Sequence, residues 1–153
     1  MANPKVDIAD TQKHIDRVVE LLDEIQYKLM LRGINHDKSK LSEPEASGFA
    51  KVAPKLRGST YGSDEYKRFL DELRPVLNHH YENNRHHIEH FDSGLMEMSL
   101  LDLIEMVCDW KAASERHENG SMTRSLQVNR ERFSIPDPLM SIIGNTAADL
   151  GWL

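Results

Sequence analysis

The stretch DTQKHIDRVVELLDEIQYKLML, residues 10–31, decides the fold class. Apolar side chains recur at Ile15, Val18, Leu22, Ile25 and Leu29, and these intervals of three and four line one face of an α-helix. Gly33 predicts the end of that helix, because glycine commonly sits just past a helical C-terminus. Similar punctuation recurs downstream. Ser42-Glu43-Pro44-Glu45 has capping-box spacing with proline in the first turn, which predicts a helix running to about Leu56. Arg57-Gly58-Ser59-Thr60-Tyr61-Gly62-Ser63 reads as a loop, and a helix starting near Asp64 meets Pro75, which should kink or restart it. Ser99 is a good N-cap for a helix from Leu100 to about Arg116, closed by Asn119-Gly120. Two shorter helices follow, around 122–132 and over 138–149, the second signalled by Asp137-Pro138. No stretch alternates at period two. The expected architecture is all-α, one domain over residues 1–153 built as a compact bundle of about six helices.

Composition narrows the function classes. Hydrophobic residues make up 39% and charged residues 29%, ordinary for a globular protein. No apolar run reaches membrane-spanning length and the N-terminus lacks a signal-peptide core, so the expectation is a cytoplasmic protein without a membrane partner. The single cysteine, Cys108, rules out an internal disulfide and reads as an inert core thiol on an apolar helix face. Met96, Met98 and Met106 read as core filler. A net charge of −6 argues against a footprint on duplex nucleic acid, yet allows a small phosphorylated substrate beside a bound dication. No Gly-x-Ser-x-Gly and no Walker phosphate loop is present.

The histidines carry the functional signal. Five of eight fall within twelve residues, at His79, His80, His86, His87 and His90. Neutral imidazole and carboxylate are the side chains that hold borderline divalent metals. His14 lies about 60° from the centre of its helix's apolar stripe, at 100° per residue, so it can point inward or serve as a hydrogen-bonded boundary residue. His36-Asp37 can reach one metal close to the backbone or two neighbouring metals, and Asn35-His36-Asp37 also suits turn or N-cap chemistry. In the cluster, a helical register places Leu73, Leu77, His80, Asn84, His87 and Phe91 on one stripe, so that polar residues continue an apolar seam. A rival register groups Val76, His79, Asn83, His86 and His90, and a solvated His-rich face is the plain alternative to both. Asp102, Glu105 and Asp109 share a helical face. Asp102 suits the first turn after Ser99, where a carboxylate favours the helix dipole. Asp109 sits mid-helix beside Cys108 and Trp110, where a buried unpaired charge costs several kcal/mol, so a metal or basic partner is expected.

The order His14, His36-Asp37, the His cluster, then Asp109 resembles the HD-domain superfamily of helical metal-dependent phosphohydrolases. His36-Asp37-Lys38-Ser39-Lys40 resembles its His-Asp-x-Gly-Lys motif, with Ser39 in place of glycine. The chain is still more similar to a small, mostly phage-borne family of unassigned function, whose pattern is His-Asp-x-Ser-Lys, His-x-x-x-Asn-x-His-His and Glu-Met-x-x-Asp-Trp. His36 to Lys40, His80 to His87 through Asn84, and Glu105-Met106 with Asp109-Trp110 match it. That match covers roughly residues 10–115 and selects His80 and Asn84 over His79 and Asn83.

The resemblance implies a metal-dependent phosphohydrolase acting on a small phosphorylated metabolite, a nucleotide foremost, through a metal-activated water. His14, His36, Asp37 and Asp109 would hold one metal. His80 with His86 or His87 would complete a second site, with Asp37 as the bridge. The expected cofactors are two divalent transition metals, among iron, manganese, cobalt, nickel and zinc. Lys40, with Arg85 as a second candidate, would neutralise phosphoryl charge, Glu105 would act as general base or orient a ligand, and Asn84 completes the catalytic candidates. Two alternatives stand: a di-iron oxygenase of HD type, and a non-catalytic metal-stabilised phage protein that binds a nucleotide or host partner in the host cytoplasm. The Trp152-Leu153 terminus offers ordinary packing or a homodimer contact.

Overall fold

Several helices start at a serine whose side chain makes an identifiable capping hydrogen bond. A computed structural model describes residues 8–58, 63–116 and 119–153. Among the described residues the elements are α1 Ile8–Asn35, α2 Glu45–Gly58, α3 Asp64–Asn83, α4 Leu100–Ser114, α5 Met122–Phe133 and α6 Asp137–Asp149. Short 3₁₀ turns lie at Lys38–Leu41, Ile88–His90 and Gly94–Glu97, and the described residues contain no strand. Ser63 Oγ accepts from Tyr66 N, and Ser121 Oγ accepts from Arg124 N. Ser99 and Asp102 form a reciprocal capping box that starts α4 where the sequence places it. The all-α expectation is met, and no described helix is long and apolar enough to cross a membrane.

Several boundaries differ from expectation for local reasons. Gly33 does not stop α1, since a glycine inside a long helix costs only about 1 kcal/mol. The helix runs on to Asn35, whose side-chain amide donates to the Leu31 carbonyl at 2.9 Å. The turn then comes at Asp37, which takes a left-handed conformation with φ 55°. α2 begins at Glu45 rather than at Ser42, because the Glu45 carboxylate is buried against histidines instead of reaching back as a cap. α3 continues through Pro75 as one helix, and α2 likewise contains Pro54. α2 extends to Gly58, and residues 59–62 of the expected loop lie outside the described residues. α4 ends at Ser114, shortly before Arg116.

The contacts divide the chain at Asn35–His36 into two units. The first is α1, which has no buried residue. In the second, Met106, Val107 and Trp110 of α4 form one core with Met122 and Leu126 of α5, Ile135, and Ile143 and Ala147 of α6. The Trp110 and Phe133 rings stack at 6.4 Å. Met106 fills this core and Met98 packs at its edge, but Met96 is exposed, contrary to its reading as filler. Trp152 also packs against the core, while Leu153 is exposed. Cys108 is not enclosed either: it is exposed on the wall of an apolar groove between α4 and α6. Partial burial and the Glu105 carboxylate push its thiol pKa up, so it stays unreactive.

Packing of α2 on α3 sets the frame for the histidines. Gly48 makes this approach possible, because a β-carbon there would run into Val76 Cγ2 and lie 3.0 Å from its Cγ1. Overpacking costs about 1–3 kcal/mol, more than the roughly 1 kcal/mol of helix propensity that alanine gains over glycine. Gly48→Ala is therefore expected to lower the urea midpoint, and to become neutral or stabilising in a Val76→Ala background. Stabilisation by Gly48→Ala alone would contradict this packing.

Candidate metal centre

Four segments of the second unit converge on Asp37. The turn after α1 supplies His36 and Asp37, and the last turn of α3 supplies His80. The chain leaves helical geometry after Asn83, with Asn84 in the C-cap position, so His86 and His87 come from an irregular segment. The middle of α4 supplies Glu105 and Asp109, one turn apart. This helix end resolves the rival registers. His80 and Asn84 are buried on the inward stripe, and release from the helix turns both His86 and His87 toward the same place. His86 is fully buried, and His87 is half-buried.

Asp37 occupies the N-cap position of the Lys38–Leu41 turn, yet its side chain makes no cap. Its carboxylate instead faces imidazole nitrogens. Oδ1 lies 3.3 Å from His80 Nε2 and 3.5 Å from His86 Nε2, and Oδ2 lies 3.6 Å from His36 Nε2. His36 Nε2 is also 3.6 Å from Asp109 Oδ1, and His80 Nε2 is 2.9 Å from His87 Nε2. Four-coordinate metals with ligand distances of about 2.0–2.2 Å place neighbouring ligand atoms roughly 3.3–3.6 Å apart. The spacings here fall close to that range.

The opposite edges of these rings are held by carboxylates. His80 Nδ1 donates to Glu45 Oε2 at 2.8 Å, and His79 Nδ1 donates to Glu45 Oε1 at 2.7 Å. Glu105 Oε1 takes His36 Nδ1 at 3.0 Å and lies 3.2 Å from His86 Nδ1. Carboxylate acceptors at Nδ1 assign a proton to that nitrogen, which in the neutral rings of His80 and His86 leaves the Nε2 lone pairs turned toward Asp37. Glu45 is itself fully buried and accepts a further hydrogen bond from Ser39 Oγ at 3.0 Å. Asn84 donates one N–H to Ser39 Oγ at 2.7 Å and another to the His80 carbonyl at 2.7 Å. Asn84 thus braces His80 and the 3₁₀ turn, with both amide hydrogens engaged.

The fit to a cation rests on two orphaned atoms. Asp37 Oδ1 and His86 Nε2 are buried without a hydrogen-bond partner, 3.5 Å apart. Both are lone-pair carriers, and burying such groups unsatisfied is costly. Among the described residues, three sets can hold an ion: Asp37 with His80, His86 and His87; His36 with Asp37 and Asp109; and His36 with His86 and Glu105. The first two share Asp37, one through each oxygen. The third uses the Nδ1 atoms that Glu105 already orients.

Electrostatics follow from this geometry. Asp109 and Glu105 raise His36 from 6.5 to about 10, against the opposing effect of burial. Burial acts to raise the Asp37 carboxyl, but His80 and Lys40 outweigh it and hold the group far below the usual range. Asp109 is likewise lowered, the desolvation being overcome by His36 and His86. Glu45 is lowered through His79, Ser39 and His80, again against burial. His87 is lowered to about 3 by burial and by the neighbouring His86 and His80. These shifts describe the protein without an ion.

The remaining expected residues fall into place. Lys40 Nζ sits 2.6 Å from Asp37 Oδ2 and 5.7 Å from the Phe49 ring centroid, with part of its side chain exposed. His14 is exposed on α1, in the first unit, whereas the three ion-holding sets draw only on the second. His90 Nδ1 donates to the Tyr81 carbonyl at 2.7 Å, away from these sets. Arg85 is committed to Asp102, with Nε and Nη2 each 3.2 Å from its oxygens, and lies over the Phe91 ring. Asp102 is fully buried as the α4 cap, so it is structural. Glu45 was not singled out for the site, because its capping-box spacing hides a role that only the α2–α3 packing creates.

The model of a family of unknown function, DUF5662, matches residues 5–149. No curated protein and no solved structure matches the chain.

Opposite shifts on two histidines give a signed pH prediction. His36 is raised, so its contribution to the metal-free fold is full below pH 6.5 and is lost as pH climbs through about 10. His87 is depressed, so its contribution is present above 6.5 and is lost as pH falls toward about 3. Urea unfolding in chelator is expected to show greatest stability near neutral pH. An ion at His36 Nε2 must displace that proton, so binding should release protons and tighten by up to about tenfold per pH unit from 7 to 10. Calorimetry in buffers of different ionisation enthalpy reads the proton count, and pH-independent binding without proton release would contradict the assignment.

Proposed function

The chain belongs to the DUF5662 family, and from its geometry we propose a metal-dependent phosphohydrolase of HD type that acts on a small phosphorylated metabolite, a nucleotide foremost. One observation carries the reading: two adjacent lone-pair atoms, Asp37 Oδ1 and His86 Nε2, are buried and unsatisfied within a shell of imidazoles. The HD-like order of His36-Asp37, His80, His86-His87 and Asp109 supports it, and so does Lys40, three residues beyond Asp37.

Asp37, His80, His86 and His87 would hold one ion, and His36, Asp37 and Asp109 a second. Bound there, divalent transition metals would supply a polarised water and Lewis-acid stabilisation of phosphoryl oxygens. The imidazole-rich donor set suits iron, manganese, cobalt, nickel or zinc better than magnesium. The chain's own residues do the positioning. Glu45 and Glu105 fix the tautomers and ring angles of His80, His36 and His86 from behind. Lys40, drawn to Asp37 Oδ2 and stationed over Phe49, lies where it can turn its ammonium to a phosphoryl oxygen once a cation neutralises Asp37. Glu105 contacts two rings through one oxygen, which makes it a ring-orienting group before a base. The single cysteine fits a reducing cytoplasm, and in a phage-borne protein that would be the host's.

A panel of nucleoside mono-, di- and triphosphates, cyclic nucleotides and sugar phosphates, assayed for phosphate release with each metal, tests this reading. Turnover is expected with at least one transition metal, and Asp37→Ala should lower it by about 10³-fold or more with far-UV circular dichroism nearly unchanged. Equal turnover in Asp37→Ala would remove the metal mechanism. Iron-dependent oxygen consumption without phosphate release would replace hydrolysis by oxygenation.

A further inference from the structure

α1 carries more apolar surface than a lone helix can leave in water. Ile8, Ile15, Leu22 and Leu29 recur at intervals of seven, and Thr11, Val18, Ile25 and Arg32 stand three residues after each of them. This is a heptad seam sustained over residues 8–32, the repeat by which one helix packs along another through knobs and holes. The seam is open: Ile8 is 76%, Leu22 53% and Ile15 48% exposed, and α1 contains no buried residue. Apart from Arg32, the charged residues lie off the seam, among them Asp16, Arg17, Glu20, Asp23 and Glu24.

We propose that α1 pairs antiparallel with α1 of a second copy of this chain. The seam itself argues for a like partner, since a heptad stripe is complementary to another heptad stripe. Arg32 sets the direction. Asp10, Asp16, Glu20, Asp23 and Glu24 fall at outer heptad positions, away from a partner along the seam, and leave the direction open. Parallel pairing would put the two Arg32 side chains in one layer of the seam, whereas antiparallel pairing separates them. In the antiparallel arrangement, layers join residues whose numbers sum to the same value. Ile8 meets Arg32 of the second copy, Thr11 meets Leu29, Ile15 meets Ile25, and Val18 meets Leu22. The seam is ~37 Å long on a helix ~10–12 Å across, on the order of 400 Å² in projection. Interdigitated side chains raise that toward the about 800 Å² per partner of stable dimers. This inference is independent of the chemistry at Asp37.

Sedimentation velocity on the full chain as purified is expected to give twice the 17.6 kDa chain mass. Leu22→Asp is expected to give the single-chain mass with unchanged helicity. A monomeric parent chain, or a dimer that persists in Leu22→Asp, overturns the proposal. Cysteine pairing tests direction and does not depend on how Leu22→Asp folds. In a Cys108→Ser background, Ile15→Cys mixed with Ile25→Cys is expected to yield a mixed disulfide at least tenfold more abundant than either self-linked product. Self-linked products in excess, or no disulfide at all, contradict antiparallel pairing.

Discussion

One carboxylate organises the second unit. Asp37 sits in a left-handed turn, and three imidazole Nε2 atoms lie within 3.3–3.6 Å of its two oxygens. On the Oδ1 side this carboxylate faces lone pairs rather than donors, because the ring protons of His80 and His86 are drawn to the far side by Glu45 and Glu105. The centre is therefore short of positive charge. Protonated His36 and the Lys40 ammonium supply some of it, but neither reaches the buried pair formed by Asp37 Oδ1 and His86 Nε2. Buried donors so short of positive charge could hold a metal ion.

The supports behind the rings are as specific as the rings. Glu45 is fully buried and satisfied by His79, His80 and Ser39, and Ser39 is in turn held by Asn84. This chain of bonds ties the start of α2, the end of α3 and the 3₁₀ turn after Asp37 to a single geometry. It is made of charge-assisted links in a dry interior, where each is stronger than in water and costly to leave unmade. On the opposite side Asp102, capped by Ser99 and clasped by Arg85, anchors α4 so that Glu105 and Asp109 face inward. Structural and chemical carboxylates on the same helix are separated by one and two turns.

Much of this was readable from residue order, and the remainder fails for physical reasons. Local signals placed α4 and α6 well, because Ser99 caps within a single turn and Pro138 suits the first turn of a helix. The polar seam continuing Leu73 pointed to His80 and Asn84, and burial of both agrees with that pattern. Periodicity could not decide between His86 and His87, since it presumes a helix and the helix ends at Asn83. Glu45 was hidden by a capping-box pattern, and only tertiary packing reveals its role. Arg85 and Cys108 were misread for the same reason: Asp102 claims the first, and an open groove exposes the second. Heptad spacing in α1 was legible, but its meaning depends on a surface that α1 alone leaves open.

Asp37 would serve both proposed ion sites, and metal content per chain tests that most directly. Plasma mass spectrometry on tag-free protein purified without chelator, compared between the parent chain and Asp37→Asn, measures it. About two equivalents of divalent transition metal are expected in the parent chain and one or none in Asp37→Asn. No bound metal in the parent chain, with no stabilisation by any divalent ion added, or undiminished metal in Asp37→Asn, would contradict it.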